Sequence, residues 1–90
     1  MPGSSEAAIT LAGDLHARPA GSLALAAAGF ASAVQLAIGG TSVDAKSVLS
    51  VMGLGATTGQ QVVVRATGPD ASEAVAAIIG ILAQATPVGG

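Results

Sequence analysis

Cysteine is absent from this 90-residue chain, so neither a disulfide nor a thiolate metal site is available, and nothing points to an oxidising compartment. Charge is scarce as well: three basic and five acidic residues give a formal net charge of −2. Nucleic-acid binding takes a basic stripe and usually aromatic stacking platforms. With three scattered cations and one aromatic residue, Phe30, the chain offers neither, and no nucleic-acid partner is expected. A single histidine, His16, leaves no ligand set for zinc, and neither metal nor cofactor is expected.

What is present is small and aliphatic, with 51% of residues apolar. From Pro19 to Val43 no charged residue occurs, a stretch long enough to cross a bilayer. It is interrupted by Gly21, Ser22, Gly29, Ser32, Gln35, Gly39, Gly40 and Ser42, changes period halfway and has no flanking basic cluster. The reading is therefore a cytoplasmic protein without membrane insertion. The start "MPGSSEAA" lacks the basic and apolar regions of a signal peptide.

Periodicity divides the chain into seven elements. "EAAITLA" (6–12) alternates as a weak strand through Ile9 and Leu11. From Ala17 to about Phe30, the spacing of Ala20, Leu23, Ala27 and Phe30 builds one helical face, with Pro19 confined to the first turn. "SAVQLAIGG" (32–40) is a half-buried strand ending in a glycine turn, and "TSVD" (41–44) is a short returning strand. "KSVLSVMG" (46–53) predicts a short helix with Ser47 as cap and Gly53 as stop. "GQQVVVRAT" (59–67) predicts a strand, because β-branched Val62, Val63 and Val64 disfavour helix. "GPDASEAVAAIIGILAQ" (68–84) predicts a helix with a capping-box-like Asp70 and Glu73 and a stripe of Val75, Ile78, Ile79 and Leu82. The order β-α-β-β-α-β-α favours an α+β fold, a mostly antiparallel sheet with helices on one face. One domain over 1–90 is expected, its core about 6–84, with "MPGSS" and "TPVGG" as flexible ends.

The concentrated chemistry lies in "DLHARPAGS" (14–22). A helix start offers unpaired amides and the positive end of the macrodipole, a natural cradle for phosphate. The amides of Ala17 and Arg18 would face a group on His16, and the Arg18 guanidinium could take its oxygens two at a time. The same field keeps the imidazole neutral and nucleophilic near pH 7. Against this stands the plainer reading, in which a lone histidine is a solvated surface residue and Arg-Pro merely starts a helix. On the residues alone both stand.

"LHARPA" (15–20) resembles the active-site signature of the HPr family, the histidine phosphocarriers of the sugar phosphotransferase system. "KSVLSVMGLG" (46–55) is similar to the family's second signature, and "GQQVVVRATGPD" (59–70) to its last strand and the following turn. The resemblance implies an open-faced β-sandwich, a four-stranded antiparallel sheet covered on one face by three helices. It implies that His16 accepts a phosphoryl group on Nδ1 from phosphorylated enzyme I and passes it to a sugar-specific phosphotransferase component or another acceptor protein. Arg18 would hold the phosphoryl oxygens, with the Ala17 amide beside it, in a monomeric carrier rather than a stand-alone turnover enzyme. Ser47 matches the serine that a dedicated kinase modifies in some lineages; its alternative is a plain helix cap.

Two departures from the family pattern stand out. Asp14 occupies a place where the family usually has glycine; its carboxylate would disfavour a dianionic phosphoryl group, hydrogen-bond the imidazole or point to water, and the last is the expectation. Gly13 occupies a place often taken by a small polar residue that helps position the imidazole. On the outer side of the first helix Arg18, Gly21, Ser22, Leu25 and Gly29 form a small, apolar face where polar or basic side chains are usual. Val48, Leu49, Val51 and Met52 cannot all face inward, so some of them, with Ala17 and Leu25, are expected to form an apolar docking patch beside His16. Two other readings are carried: an HPr-like domain of a multidomain phosphotransferase protein, such as a dihydroxyacetone kinase phosphoryl donor, and a regulatory binding module switched at Ser47.

Overall fold

The valine run organises the sheet. In the computed structural model, which describes residues 3–15 and 17–84 with the side chain of Ala17 left aside, β4 spans Gln61–Gly68. Its Val62, Val64 and Ala66 are buried and alternate with the exposed Arg65 and Thr67. β4 pairs antiparallel with β1 (Gly3–Thr10) on one side and with β2 (Ala33–Ile38) on the other. β2 turns back into β3 (Thr41–Asp44), completing a four-stranded sheet of order β1-β4-β2-β3.

Three helices, α1 (Ala17–Ala28), α2 (Val48–Gly53) and α3 (Ala71–Ala83), complete the order β-α-β-β-α-β-α. Their buried residues join one sheet face in a single cluster that includes Leu23 and Ala27 from α1, Val51 from α2, and Val75, Ile78 and Leu82 from α3. Fully burying each Leu, Ile or Val there contributes about 1.5–3 kcal/mol. The opposite sheet face carries an exposed ion pair in which Arg65 Nε donates to Glu6 Oε1 at 2.7 Å. Exposed pairs of this kind contribute about 0.2–1 kcal/mol.

Four expectations need correction. β1 begins at Gly3, so residues 3–5 of "MPGSS" are strand and not a loose end; Ser4 and Ser5 have weak strand preference but pair with Thr67 and Ala66 of β4. Residues 1–2 and "TPVGG" (86–90) lie outside the described residues. Phe30 falls beyond the end of α1, though it still packs, partly buried, against the core. Gly53 is the last residue of α2 rather than its stop; the chain leaves the helix at Gly55, whose φ of +67° suits glycine.

The fourth concerns Asp70. It is the N-cap residue of α3, yet its carboxylate makes no capping bond. Oδ2 instead accepts from the Ala31 amide at 2.9 Å, and Oδ1 accepts from the Ser32 amide at 2.9 Å and from the Ser32 hydroxyl. Three donors at the start of β2 outcompete a single helix-end amide. These bonds, the Ser32 hydroxyl foremost, hold the Asp70 carboxyl below its ordinary 3.8. Ser32 is fully buried and comes so close to Gly68 (φ +147°) that a Cβ there would lie 2.5 Å from its Oγ.

Candidate functional site

The loop leading into α1 is fixed by hydrogen bonds to the loop between α2 and β4. The Leu11 amide donates to the Gln60 carbonyl, the Gly59 amide to the Leu11 carbonyl, and the Leu15 amide to the Ala56 carbonyl, each at 2.9 Å. Leu11 and Leu15 are buried, so the loop is pinned both by its backbone and by two apolar anchors. Asp14 does not simply face water: its Oδ1 accepts from both the amide and the hydroxyl of Thr58, each at 2.8 Å. Thr58 gave no sign of this in the sequence, because the two residues are 44 positions apart.

His16, the expected phosphoryl acceptor, lies outside the described residues, and so does the side chain of Ala17. The backbone of Ala17 opens α1, Arg18 is exposed in the first turn, and Pro19 follows where its missing N–H costs no intrahelical bond. No acidic side chain occupies that first turn. Leu15 and Ala20 are buried on either side, so two core anchors bracket the segment from Leu15 to Ala20.

Ser47 caps α2, its Oγ accepting from the Ser50 amide at 3.2 Å. On that helix Val51 is buried, whereas Val48, Leu49 and Met52 are 39%, 82% and 42% exposed. Leu25 of α1 is 78% exposed, and α1 packs against α2. The structure thus leaves four large apolar side chains open on two neighbouring helices. The chain's other two basic residues are engaged elsewhere: Lys46 Nζ donates to the Phe30 carbonyl at 3.0 Å, and Arg65 pairs with Glu6. Among the described residues no cluster of histidine, aspartate and glutamate could hold a metal ion, and no helix is long and apolar enough to cross a membrane.

An open four-stranded sheet with three helices on one face, and a histidine signature leading into the first of them, defines a class of small carrier proteins. Residues 4–84 match the PTS-HPr family, described as the PTS HPr component phosphorylation site. The chain belongs to the HPr family, the phosphocarriers of the phosphotransferase system. It is 41% identical over 70 residues to the phosphocarrier protein HPr of Cupriavidus necator, covering 78% of this chain and 79% of that one. Among solved structures, a Mycoplasma histidine-containing phosphocarrier protein is 33% identical with a TM-score of 0.76, covering 91% of this chain and 99% of the other. HPr-C-His of Thermoanaerobacter tengcongensis is 31% identical with a TM-score of 0.77, covering 89% and 90%.

Proposed function

We propose that this chain relays a phosphoryl group through His16, taking it from phosphorylated enzyme I and giving it to a sugar-specific phosphotransferase component or another acceptor protein. The observation that carries the reading is that Leu15 lies in a pinned loop and residues 17–20 open α1, the described residues that flank His16 in the sequence. A phosphoryl group on the His16 imidazole would be served by the amides that open α1 and by the exposed Arg18 side chain. In the forward step a lone pair of the His16 imidazole forms a new P–N bond. The bond to the donor breaks, and its electron pair stays on the donor.

Docking falls to Leu25, Val48, Leu49 and Met52, with Ala17 beside the histidine. Ser47, at the start of the same short helix, is a candidate modification site for a serine kinase. A phosphate there would add roughly two negative charges next to the docking side chains and repel a phosphorylated donor. The test of the relay has two stages. Enzyme I and phosphoenolpyruvate should charge the protein, and the isolated charged protein should then pass its label to a phosphotransferase acceptor. Charging without onward transfer to any such acceptor would overturn the relay while leaving the acceptor role of His16 intact.

A further inference from the structure

Asp14 places a fixed negative charge two residues before the reactive histidine. The Thr58 amide and hydroxyl both donate to one of its carboxylate oxygens, and backbone bonds on either side, Gly59 to Leu11 and Leu15 to Ala56, hold both loops. Thr58 is itself set by a tight turn in which the Gln60 side-chain oxygen accepts from the Thr57 amide at 2.9 Å and the Thr57 carbonyl accepts from the Gln60 amide at 3.1 Å. A free aspartate could swing away from a new anion nearby; one bonded in this manner resists doing so.

We propose that Asp14, held by Thr58, is a tuning charge that raises the phosphoryl-transfer potential of His16. The proposal rests on the reading of His16 as phosphoryl acceptor. Residues two apart in the chain have Cα atoms at most about 7 Å apart. The Asp14 charge is thus tied by the backbone to the neighbourhood of His16, in a chain with few other charges. It disfavours the dianionic phosphohistidine and favours any imidazolium left after transfer, so both effects push the group off His16. Arg18 and the amides opening α1 push the other way. A relay needs such a balance, since a phosphohistidine held too tightly is a poor donor.

At a separation of about 8 Å in a water-like dielectric, one unit charge against about two shifts the equilibrium roughly fivefold. The test is the phosphorylated fraction of the full chain at equilibrium with enzyme I, phosphoenolpyruvate and pyruvate at low ionic strength. Asp14→Asn keeps an acceptor oxygen for Thr58 but removes the charge, and Asp14→Gly removes both. Each should raise the equilibrium constant for phosphorylation about fivefold, with the gain shrinking as salt is added. Thr58→Val keeps the charge and should stay closer to wild type than either. A thermal melt of each variant confirms folding. If wild type is phosphorylated and both folded Asp14 variants keep its equilibrium constant within about twofold, the tuning role is wrong. If wild type takes no phosphoryl group at all, the phosphocarrier reading itself fails, a separate result.

Discussion

Ser32 and Asp70 exchange hydrogen bonds: the Ser32 amide and hydroxyl donate to Asp70 Oδ1, and the Asp70 amide donates back to Ser32 Oγ at 3.1 Å. The pair ties the start of β2 to the start of α3, two elements 38 residues apart in sequence. Because these bonds lower the folded-state pKa of Asp70, the unfolded chain binds more protons as pH falls through the carboxylate range. The stability they supply is fully present above the ordinary value of 3.8 and is lost progressively as pH falls through the lower folded value. Urea midpoints measured from pH 6 downward should drop below about pH 4 in wild type, and Asp70→Asn should start lower and show a shallower drop.

The same corner decides how a glycine there responds to substitution, in contrast to one on an open helix face. A Cβ at Gly68 would lie 2.6 Å from the Ser32 Cα, on a backbone whose φ of +147° already disfavours side chains. Gly68→Ala should cost about 2–4 kcal/mol. Gly80 lies within α3, exposed, with nothing within 4 Å of the position an added methyl group would take. Gly80→Ala should therefore stabilise the protein by about 0.5–1 kcal/mol through helix propensity. Chemical denaturation of both variants checks the contrast in sign.

Ser47 offers a way to separate capping from charge. Ser47→Ala removes the acceptor for the Ser50 amide and should cost about 0.5–2 kcal/mol. Ser47→Asp retains a good cap, so its stability should stay near wild type while its charging by phosphorylated enzyme I slows. Melting curves and charging rates measured on the same samples test the two effects independently.

Exposed and buried apolar residues of the two helices should respond in opposite ways. Leu25→Asp and Leu49→Asp should leave stability within about 0.5 kcal/mol, since both side chains are open to solvent, but slow phosphoryl transfer at least tenfold. Leu23→Ala, a fully buried position, should cost about 2–5 kcal/mol.

Local pattern carried much of this architecture. The valine run of β4, the Ala20–Leu23–Ala27 stripe of α1 and the Val75–Ile78–Leu82 stripe of α3 became core, because burial follows strand and helix period. The outward faces followed too: Arg18, Ser22, Leu25 and Gly29 are exposed on the outer side of α1 and just past its end, and only Val51 of the four large apolar residues on α2 is buried. What the pattern could not carry was long-range partnership. Asp70 has the spacing of a helix cap and Asp14 that of a solvated loop residue, yet each binds a residue far along the chain. The extension of β1 to Gly3 likewise depends on what β4 offers across the sheet. The phosphoryl-acceptor role proposed for His16 rests on the family signature, since a lone histidine at a helix start has no local feature that separates a nucleophile from a surface residue.

The most direct measurement is site-resolved mass spectrometry of the protein after incubation with enzyme I and phosphoenolpyruvate, with acid treatment as a control. A phosphocarrier should show one acid-labile phosphoryl group per chain, located on His16 and absent from His16→Ala, with slowed charging in a folded Arg18→Ala variant. An unmodified wild-type protein in the presence of a cognate enzyme I, or a label that survives on His16→Ala, would contradict it.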